Sequence, residues 1–531
     1  MQRLPIGIQS FEALREEKYL YADKTAIIYD LVKNGKVYFL SRPRRFGKSL
    51  LCSTLRAYFE GKKELFKGLA IERLETAWTA YPVMHFDFNG EVYGSIDGLE
   101  QIMDSHLKRW ENTYGCIDPS TTLSQRFYNV VCTAHEKTGK RAVVIVDEYD
   151  KPLLETFGKE DMVEQTRALF KGFFGNLKKL DEHLQFVFFT GVTKFSKISI
   201  FSDLNQLRDI SLEPQFDTIC GLTEEELHNC FSEHIEAMAK KISISKGECI
   251  NTLKKYYDGY HFSESMTDIY NPFSILNALA SQRLGYFWFS TGTPTFLIKH
   301  LMKDLDVFDF KTLSKGVTLS TGEITDYRPE NPDITPLLYQ SGYLTIKKYN
   351  TRRDEFTLAY PNKEVEYGML NSLAPNVSYV RNPKNYISAM QDALDNCDID
   401  AMMLQLKAIY ASLPYIVPHF KEGMDENDKV DKLNMYIERD FQNIIYVFFL
   451  LMGQPTYSEV QNCLGRADCI VETDDYVYIF EFKMDAPAAE ALEQIKAHEY
   501  AARYAADKRK VVKVGVQFSR KKRNIVEWTV E

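Results

Sequence analysis

The feature that most restricts what this chain can fold into is the run Val37-Tyr38-Phe39-Leu40-Ser41-Arg42-Pro43-Arg44-Arg45-Phe46-Gly47-Lys48-Ser49-Leu50-Leu51. Val37 to Leu40, apolar and bounded by Gly35 and Pro43, reads as a short buried strand. Leu50, Leu51, Thr54, Leu55 and Tyr58 then recur at helical spacing. Gly47-Lys48-Ser49 stands where that helix begins. Free backbone N–H groups and the helix dipole favour a phosphate at such a point. The residues from Arg45 and Phe46 through Gly47 and Lys48 to Ser49 and Leu50 are therefore the candidate phosphate cradle. Lys48 is placed to reach β- and γ-phosphates, and the Ser49 hydroxyl to ligate magnesium. The bland reading is an ordinary helix start with a surface lysine. A strand before it and a helix after it favour the nucleotide.

The match to the usual phosphate-loop pattern is incomplete, because Arg42 occupies the position of the first glycine. A second signal lies about a hundred residues downstream, in Arg141-Ala142-Val143-Val144-Ile145-Val146-Asp147-Glu148-Tyr149-Asp150. A continuous apolar run ending in carboxylates is what a parallel-sheet strand delivers to its C-terminal edge. Asp147 is the candidate magnesium ligand, and Glu148 the residue that polarises an attacking water. Leu184 to Thr193 reads as a further strand, which would bring Thr190 to the same edge. There it would sense a γ-phosphate or simply cap the strand. Lys194 and Lys197 face either the phosphates or solvent. Tyr81 to Phe88 is another buried strand, with His85 a core or strand-end residue. Asp23 is expected to cap a helix carrying Ile27, Ile28, Leu31 and Val32.

With 531 residues the chain exceeds one core, and three or four domains is the expectation. A hydrophobic share of 45% and a charged share of 26% describe an ordinary globular protein. No apolar run is long enough to span a bilayer, and Met1 to Gly7 lacks the apolar core of a signal peptide. Nine scattered cysteines suggest a reducing cytoplasm and no zinc site. A net charge of −9 argues against nucleic-acid attraction by the whole surface, so any such contact needs local patches.

Leu40 to Leu50, Asp23-Lys24-Thr25, Val146 to Asp150 and Phe189-Thr190-Gly191-Val192 together resemble the bacterial AAA-ATPase-like family. That resemblance implies a P-loop domain that binds ATP. Family members typically carry a C-terminal PD-(D/E)XK nuclease-like domain. The family also has Arg at the glycine position, which makes Arg42 a family trait.

From Glu213 the chain turns mainly helical, with Thr223 as a cap and acids after it. The aromatic clusters of Tyr256 to Phe262 and Tyr270 to Phe273 read as core turns in preference to base-stacking platforms. Residues 334 to 366 read as helix, strand, turn, strand, helix, which suits a winged-helix module. The lid reading is preferred there over the DNA-binding one.

A second chemical cluster lies near the C-terminus. Glu438 sits near the start of an apolar helix, Tyr436 to Leu451. Gly465 to Glu472 and Tyr476 to Lys483 are expected strands around the turn Asp474-Asp475. If those two residues form the whole loop, Thr473 pairs with Tyr476 and Asp468 falls opposite Glu481. Lys483 shares the face of Glu481. Such oxygen ligands suit one or two magnesium ions, with Lys483 steadying a nucleophile or developing charge. The arrangement resembles the PD-(D/E)XK nuclease superfamily: Asp468 and Glu481-Phe482-Lys483 match its core, Glu438 its helical acid and Gln494 a following polar position. Ala467 replaces the motif's proline, which ligates no metal. The alternative is a surface hairpin with a Glu–Lys contact. Nine Lys or Arg in the last 31 residues read either as a phosphate-backbone contact or as a solvated loop.

The expected fold class is α/β. Residues 1–213 form a P-loop parallel-sheet domain, 214–380 a helical lid with winged-helix character, 381–435 a helical connector and 436–531 a PD-(D/E)XK-like domain. The expected cofactors are ATP and Mg2+. The expected partners are ATP and DNA, with RNA and a homo-oligomer left open, and no membrane. The expected function is an ATPase coupled to a metal-dependent nuclease. The alternative is an ATP-dependent switch whose nuclease fold only recognises.

Overall fold

A computed structural model describes residues 1–89, 93–116, 122–156, 159–194, 206–292, 313, 316–325, 333–378, 383–412, 425, 441, 444–445, 448–449, 451–452, 456–461 and 466–531. They divide into two compact units. One gathers the described residues of 1–292 with those of 313–366, and the other gathers those of 367–531.

The first unit is built on five strands: β1 (Val37–Ser41), β2 (Val83–Asp87), β3 (Ala142–Asp147), β4 (Leu184–Gly191) and β5 (Arg208–Asp209). Their order is β2-β3-β4-β1-β5, and each pair is parallel. Every residue of β3 is buried, because helices Lys48–Phe59 and Leu123–Thr138 pack on it. A sheet covered on both faces needs an unbroken apolar strand, and Val143 to Val146 supply one. Each such side chain taken fully out of water contributes about 1.5–3 kcal/mol. The order has a consequence for chemistry. β4 lies between β1 and β3, so the C-terminal end of β4 stands between the glycine-containing loop and the acids.

The same unit continues into helices Glu224–Lys241, Lys246–Tyr257 and Pro272–Ser281. Their starts are capped. Thr223 and Ser245 each form a reciprocal capping box, with Glu226 and Glu248, and Asn271 accepts from the Ser274 N–H. Leu227, Phe231, Ile235, Leu253, Ile275 and Leu279 form their shared core. A three-stranded antiparallel sheet follows, β6 (Val317–Ser320), β7 (Thr345–Asn350) and β8 (Glu355–Ala359), in the order β6-β8-β7. Helix Thr335–Gln340 precedes β7.

The second unit has helices Pro383–Asp395 and Ile399–Ala411 and a mixed sheet of order β13-β12-β11-β10-β9. Its strands are β9 (Thr456–Gln461), β10 (Arg466–Glu472), β11 (Tyr476–Met484), β12 (Lys510–Ser519) and β13 (Asn524–Val530). Only β11 and β12 run parallel, joined by helix Ala488–Ala497, which packs back on both. That helix approaches β12 so closely that a Cβ on Gly515 would lie 2.3 Å from the Ala488 carbonyl oxygen. Only glycine fits there. Buried Phe441, Ile444, Phe448 and Phe449 belong to the expected apolar helix of 436–451; Glu438 lies outside the described residues.

Candidate functional site

The loop after β1 has a left-handed backbone at Arg45 (φ 68°) and Gly47 (φ 98°). Gly47 is exposed and meets nothing within 4 Å of a built Cβ, so its backbone angle, not space, requires glycine. Helix Lys48–Phe59 starts directly after it, and Ser49 and Leu50 lie half-buried in the first turn. Lys48 is buried. Its Nζ donates to the carbonyl oxygens of Arg42 at 2.9 Å and Pro43 at 3.2 Å, curling the loop around the ammonium. Phe46 does not point at this cradle. Its ring packs on Tyr260 and Phe262, 4.8 and 5.5 Å between centroids, so only its backbone faces the loop.

Arg42 has a structural use. Its guanidinium is 1% exposed and donates to the carbonyls of Ser41, Ser211 and Phe216, with its carbon 4.1 Å from the centre of the Phe262 ring. It ties the end of β1 to the segment after β5, and burial lowers its proton affinity.

Across the sheet edge, the Thr190 hydroxyl donates to Asp147 Oδ1 at 2.5 Å and accepts from the Glu148 N–H at 3.2 Å. Its carbonyl accepts from the Tyr149 N–H at 3.0 Å. Thr190 thus organises the whole turn that leaves β3. Glu148 holds a left-handed backbone, φ 51°, a strained state for a residue with a side chain. Burial raises the proton affinity of Glu148; Lys48 opposes that rise and Asp147 adds to it.

Two features of this region were given no role from the sequence. Asp150, also buried, accepts from the N–H groups of Val192 and Thr193 at 2.9 and 2.6 Å and from the Thr193 hydroxyl at 2.8 Å. It latches the end of β4 to the acid turn. A cavity of about 550 Å³ opens beside Gly47, Lys48 and Glu148, with an apolar wall that includes Ile8, Leu20, Phe231, Phe273 and Leu276. That wall comes from segments more than two hundred residues apart, which no local pattern joins.

Asp23 caps from just outside its helix, Thr25–Lys33. It accepts from the Thr25 N–H at 2.9 Å and also holds the Ala70 N–H at 2.7 Å. Lys194 is half-buried, and its Nζ donates to Asp209 at 2.6 Å. Lys197 lies outside the described residues. His85 is half-buried on β2, with its proton affinity lowered by burial.

In the second unit, β10 and β11 form an antiparallel hairpin in which Glu472 faces Val477 and Cys469 faces Phe480. One step outward at either end, Thr473 meets Tyr476 and Asp468 meets Glu481, the register expected from a two-residue turn. Asp474 and Asp475 do not adopt positive φ. The turn closes instead through Thr473, whose N–H donates to the Tyr476 carbonyl at 2.8 Å and whose hydroxyl accepts from the Tyr476 N–H at 3.0 Å.

The register builds the cluster. Asp468 Oδ2 accepts from the Phe482 N–H at 2.9 Å, and Glu481 Oε2 accepts from the Asp468 N–H at 3.4 Å. Gln494, on the helix above, bridges the two ends of the motif: its Nε2 donates to Glu481 Oε1 and its Oε1 accepts from Lys483 Nζ. Lys483 Nζ is 3.9 Å from Glu481 Oε1. Glu481 is 2% exposed. Burial, and then the Asp468 carboxylate, pushes its pKa up to about 7. The groups able to ligate are oxygens, which suits a hard cation such as magnesium and not zinc.

Part of the basic C-terminal stretch is committed elsewhere. Arg509 pairs with Asp507 and Glu472, Lys513 with Glu531 and Arg520 with Asp485. These three cations are spent on acids of the same unit, while Arg503, Lys508, Lys510, Lys521 and Lys522 are exposed.

Comparison with known proteins follows the same division. A family model described as a predicted AAA-ATPase matches residues 5–201, and one for the PD-(D/E)XK nuclease superfamily matches residues 437–528. A protein of Azotobacter chroococcum mcd 1, described as an uncharacterized protein in the vnfD 5' region, is 31% identical over 541 residues. That match covers 100% of this chain and 99% of the relative. The chain belongs to the AAA-ATPase-like family with a C-terminal PD-(D/E)XK nuclease-superfamily domain. In this family member the α/β class holds for both matched regions, and the segment between them is mainly helical. No helix among the described residues is long and apolar enough to cross a membrane.

Proposed function

We propose that this protein hydrolyses ATP in its first unit and uses that cycle to control metal-dependent cleavage of DNA phosphodiesters by its C-terminal domain. The division into 1–213, 214–380, 381–435 and 436–531 is part of the same reading. ATP occupies the 550 Å³ cavity, with its base on the apolar wall and its phosphates at the Gly47–Leu50 amides. Lys48 exchanges its two loop carbonyls for phosphate oxygens. Ser49 and Asp147 hold Mg2+, Glu148 orients the attacking water, and Thr190 couples the γ-phosphate position to Asp147.

In the C-terminal domain Asp468 and Glu481 hold magnesium, joined by Glu438. The metal supplies polarisation of the phosphodiester and a hydroxide at neutral pH. Lys483 stands beside the acids to steady developing negative charge, and Gln494 keeps the lysine and Glu481 in one plane of action. The observation that carries the nuclease reading is this Glu481–Gln494–Lys483 bridge beside Asp468. A surface hairpin has no need to bury a carboxylate at a cost in ionisation.

The test incubates purified protein with DNA or RNA, magnesium or manganese, with and without ATP, alongside Lys483→Ala and Lys48→Ala. Cleavage that requires Lys483 and responds to ATP only when Lys48 is present supports the reading. Cleavage in no condition replaces it with an ATP-dependent switch, and cleavage that survives Lys483→Ala removes the site assignment.

A further inference from the structure

A second cavity, of about 490 Å³, lies in the first unit, where the C-terminal end of helix Lys246–Tyr257 meets β7 and the segment joining β8 to helix Lys363–Ser378. Four lysines line it, Lys255, Lys347, Lys348 and Lys363, against one lining carboxylate, Glu366. Such a local excess is unexpected in a chain of net charge −9.

Acids only partly offset the lysines: Glu366 attracts Lys363, and Asp268 and Asp258 attract Lys347, without reaching ion-pair distance. Lys254, one position before, is paired with Glu224 at 2.7 Å and Asp268 at 3.3 Å. Lys255, Lys348 and Lys363 form no ion pair among the described residues. Lys347 Nζ donates to the carbonyls of Gly259 at 3.3 Å and Pro361 at 3.0 Å, which fixes its position but does not neutralise it. Burial, and then the facing Lys255 ammonium, lowers the proton affinity of Lys363, and burial lowers that of Lys347. Lys363 also opens a 16-residue helix, so a cation stands at the positive end of the dipole. Of the two first-turn acids, Glu366 attracts Lys363 but Glu364 offers no relief. It is buried and accepts from the Ser274 hydroxyl at 2.5 Å and the Trp288 N–H at 2.7 Å.

Like charges gathered around a helix N-terminus oppose folding unless an anion joins them. Phosphate oxygens suit both the ammonium groups and a helix start. Lys255 and Lys348 are exposed at the rim while Lys347 and Lys363 are half-buried, so the positive charge runs from rim to floor. A single inorganic phosphate would leave part of that line unmatched. We propose that this lysine-lined cavity of the lid binds the phosphodiester backbone of a nucleic acid. The inference deepens the nuclease reading, because it gives the ATPase unit its own hold on the same substrate.

The experiment is fluorescence anisotropy of a short labelled DNA duplex with the full chain in chelator, over a salt series. Lys255→Ala/Lys363→Ala is expected to weaken binding about tenfold and to flatten the log–log salt slope by about two, since each phosphate contact contributes ~0.9. Lys348→Glu, at an exposed strand position, is expected to weaken binding without touching the helix. Arginine at 255 and 363 retains it. Lys178→Ala/Lys179→Ala, two exposed lysines of the same unit, removes equal charge and is expected to leave both quantities unchanged. Unchanged affinity and slope in the 255/363 and 348 variants, with far-UV circular dichroism intact, overturns the proposal. So does calorimetric binding of inorganic phosphate that the 255/363 variant abolishes while duplex binding persists, which marks a free-anion site. The readout is binding in chelator, so retained binding with no cleavage under metal counts against the nuclease reading alone.

Discussion

The two acid pairs of this protein, Asp147–Glu148 and Asp468–Glu481, are assembled by opposite means. The first pair is adjacent in sequence at the C-terminal end of one parallel strand. Its geometry comes from what happens at that strand end: Thr190 from the neighbouring strand grips Asp147 and the next two N–H groups, and Asp150 latches the turn to β4. The second pair is thirteen residues apart and meets only because a two-residue turn sets the hairpin register. A slip of one residue would turn Asp468 to the opposite face. Strand-end acids tolerate changes in distant pairing, whereas hairpin acids depend on the turn that aligns them.

The largest effects come from silencing one site at a time. Lys48→Ala is expected to lower ATP affinity about 100-fold or more, as loss of a charge-assisted phosphate contact does. Metal-dependent cleavage without ATP should stay unchanged. Lys483→Ala is expected to lower cleavage by about 10²–10³ with ATP affinity intact. Calorimetry with a non-hydrolysable ATP analogue and a gel cleavage assay on both variants check this. Loss of both activities in either variant would show that the sites are one folding unit.

Asp150→Ala probes the latch of the first site. Three donors lose their buried acceptor, so a loss of about 2–3 kcal/mol in urea unfolding is expected. Gln494→Ala in the second site should instead change cleavage more than stability.

Glu481 makes the comparison pH-dependent. Its folded pKa, about 7, lies above its unfolded value. The folded state therefore holds the extra proton between about pH 4.5 and 7, and stability falls as pH rises through that window. In metal-free protein, Glu481→Gln is expected to be more stable than the parent at pH 8, by on the order of 1–2 kcal/mol, with the difference shrinking toward pH 4.5. Thermal melts across that range in chelator test it; an equal difference at both ends removes the buried-carboxylate account.

The smallest effect expected is that of Thr473→Val. It removes the hydroxyl that closes the hairpin turn and should cost about 1 kcal/mol. Cleavage should fall with it if register governs the second site, while ATP binding should not respond.

Much of the first site was legible because a strand, a glycine loop and a helix start are consecutive, and β3 announces its acids by an unbroken apolar run. Arg42 looked like a departure from pattern, and only its bonds to Ser211 and Phe216 explain it. The apolar wall of the 550 Å³ cavity and the latch role of Asp150 were not legible, since each depends on residues from other elements. The C-terminal basic stretch was legible only in part for the same reason: its charge is visible in sequence, but the acids that pair Arg509, Lys513 and Arg520 are not.

By itself the sequence determined the elements whose physics is local: the loop and helix start at Gly47-Lys48-Ser49, the buried strand ending in Asp147, and the hairpin whose turn length places Asp468 against Glu481. Backbone angles, strand alternation and turn length act over a few residues, so a few residues specify them. Tertiary structure alone decided which charges are spent and which remain. It paired Arg509, Lys513 and Arg520 with acids and left Lys255, Lys348 and Lys363 around one cavity without ion pairs. The energy of a charge depends on what the fold brings within a few ångströms of it, and chain distance carries no record of that.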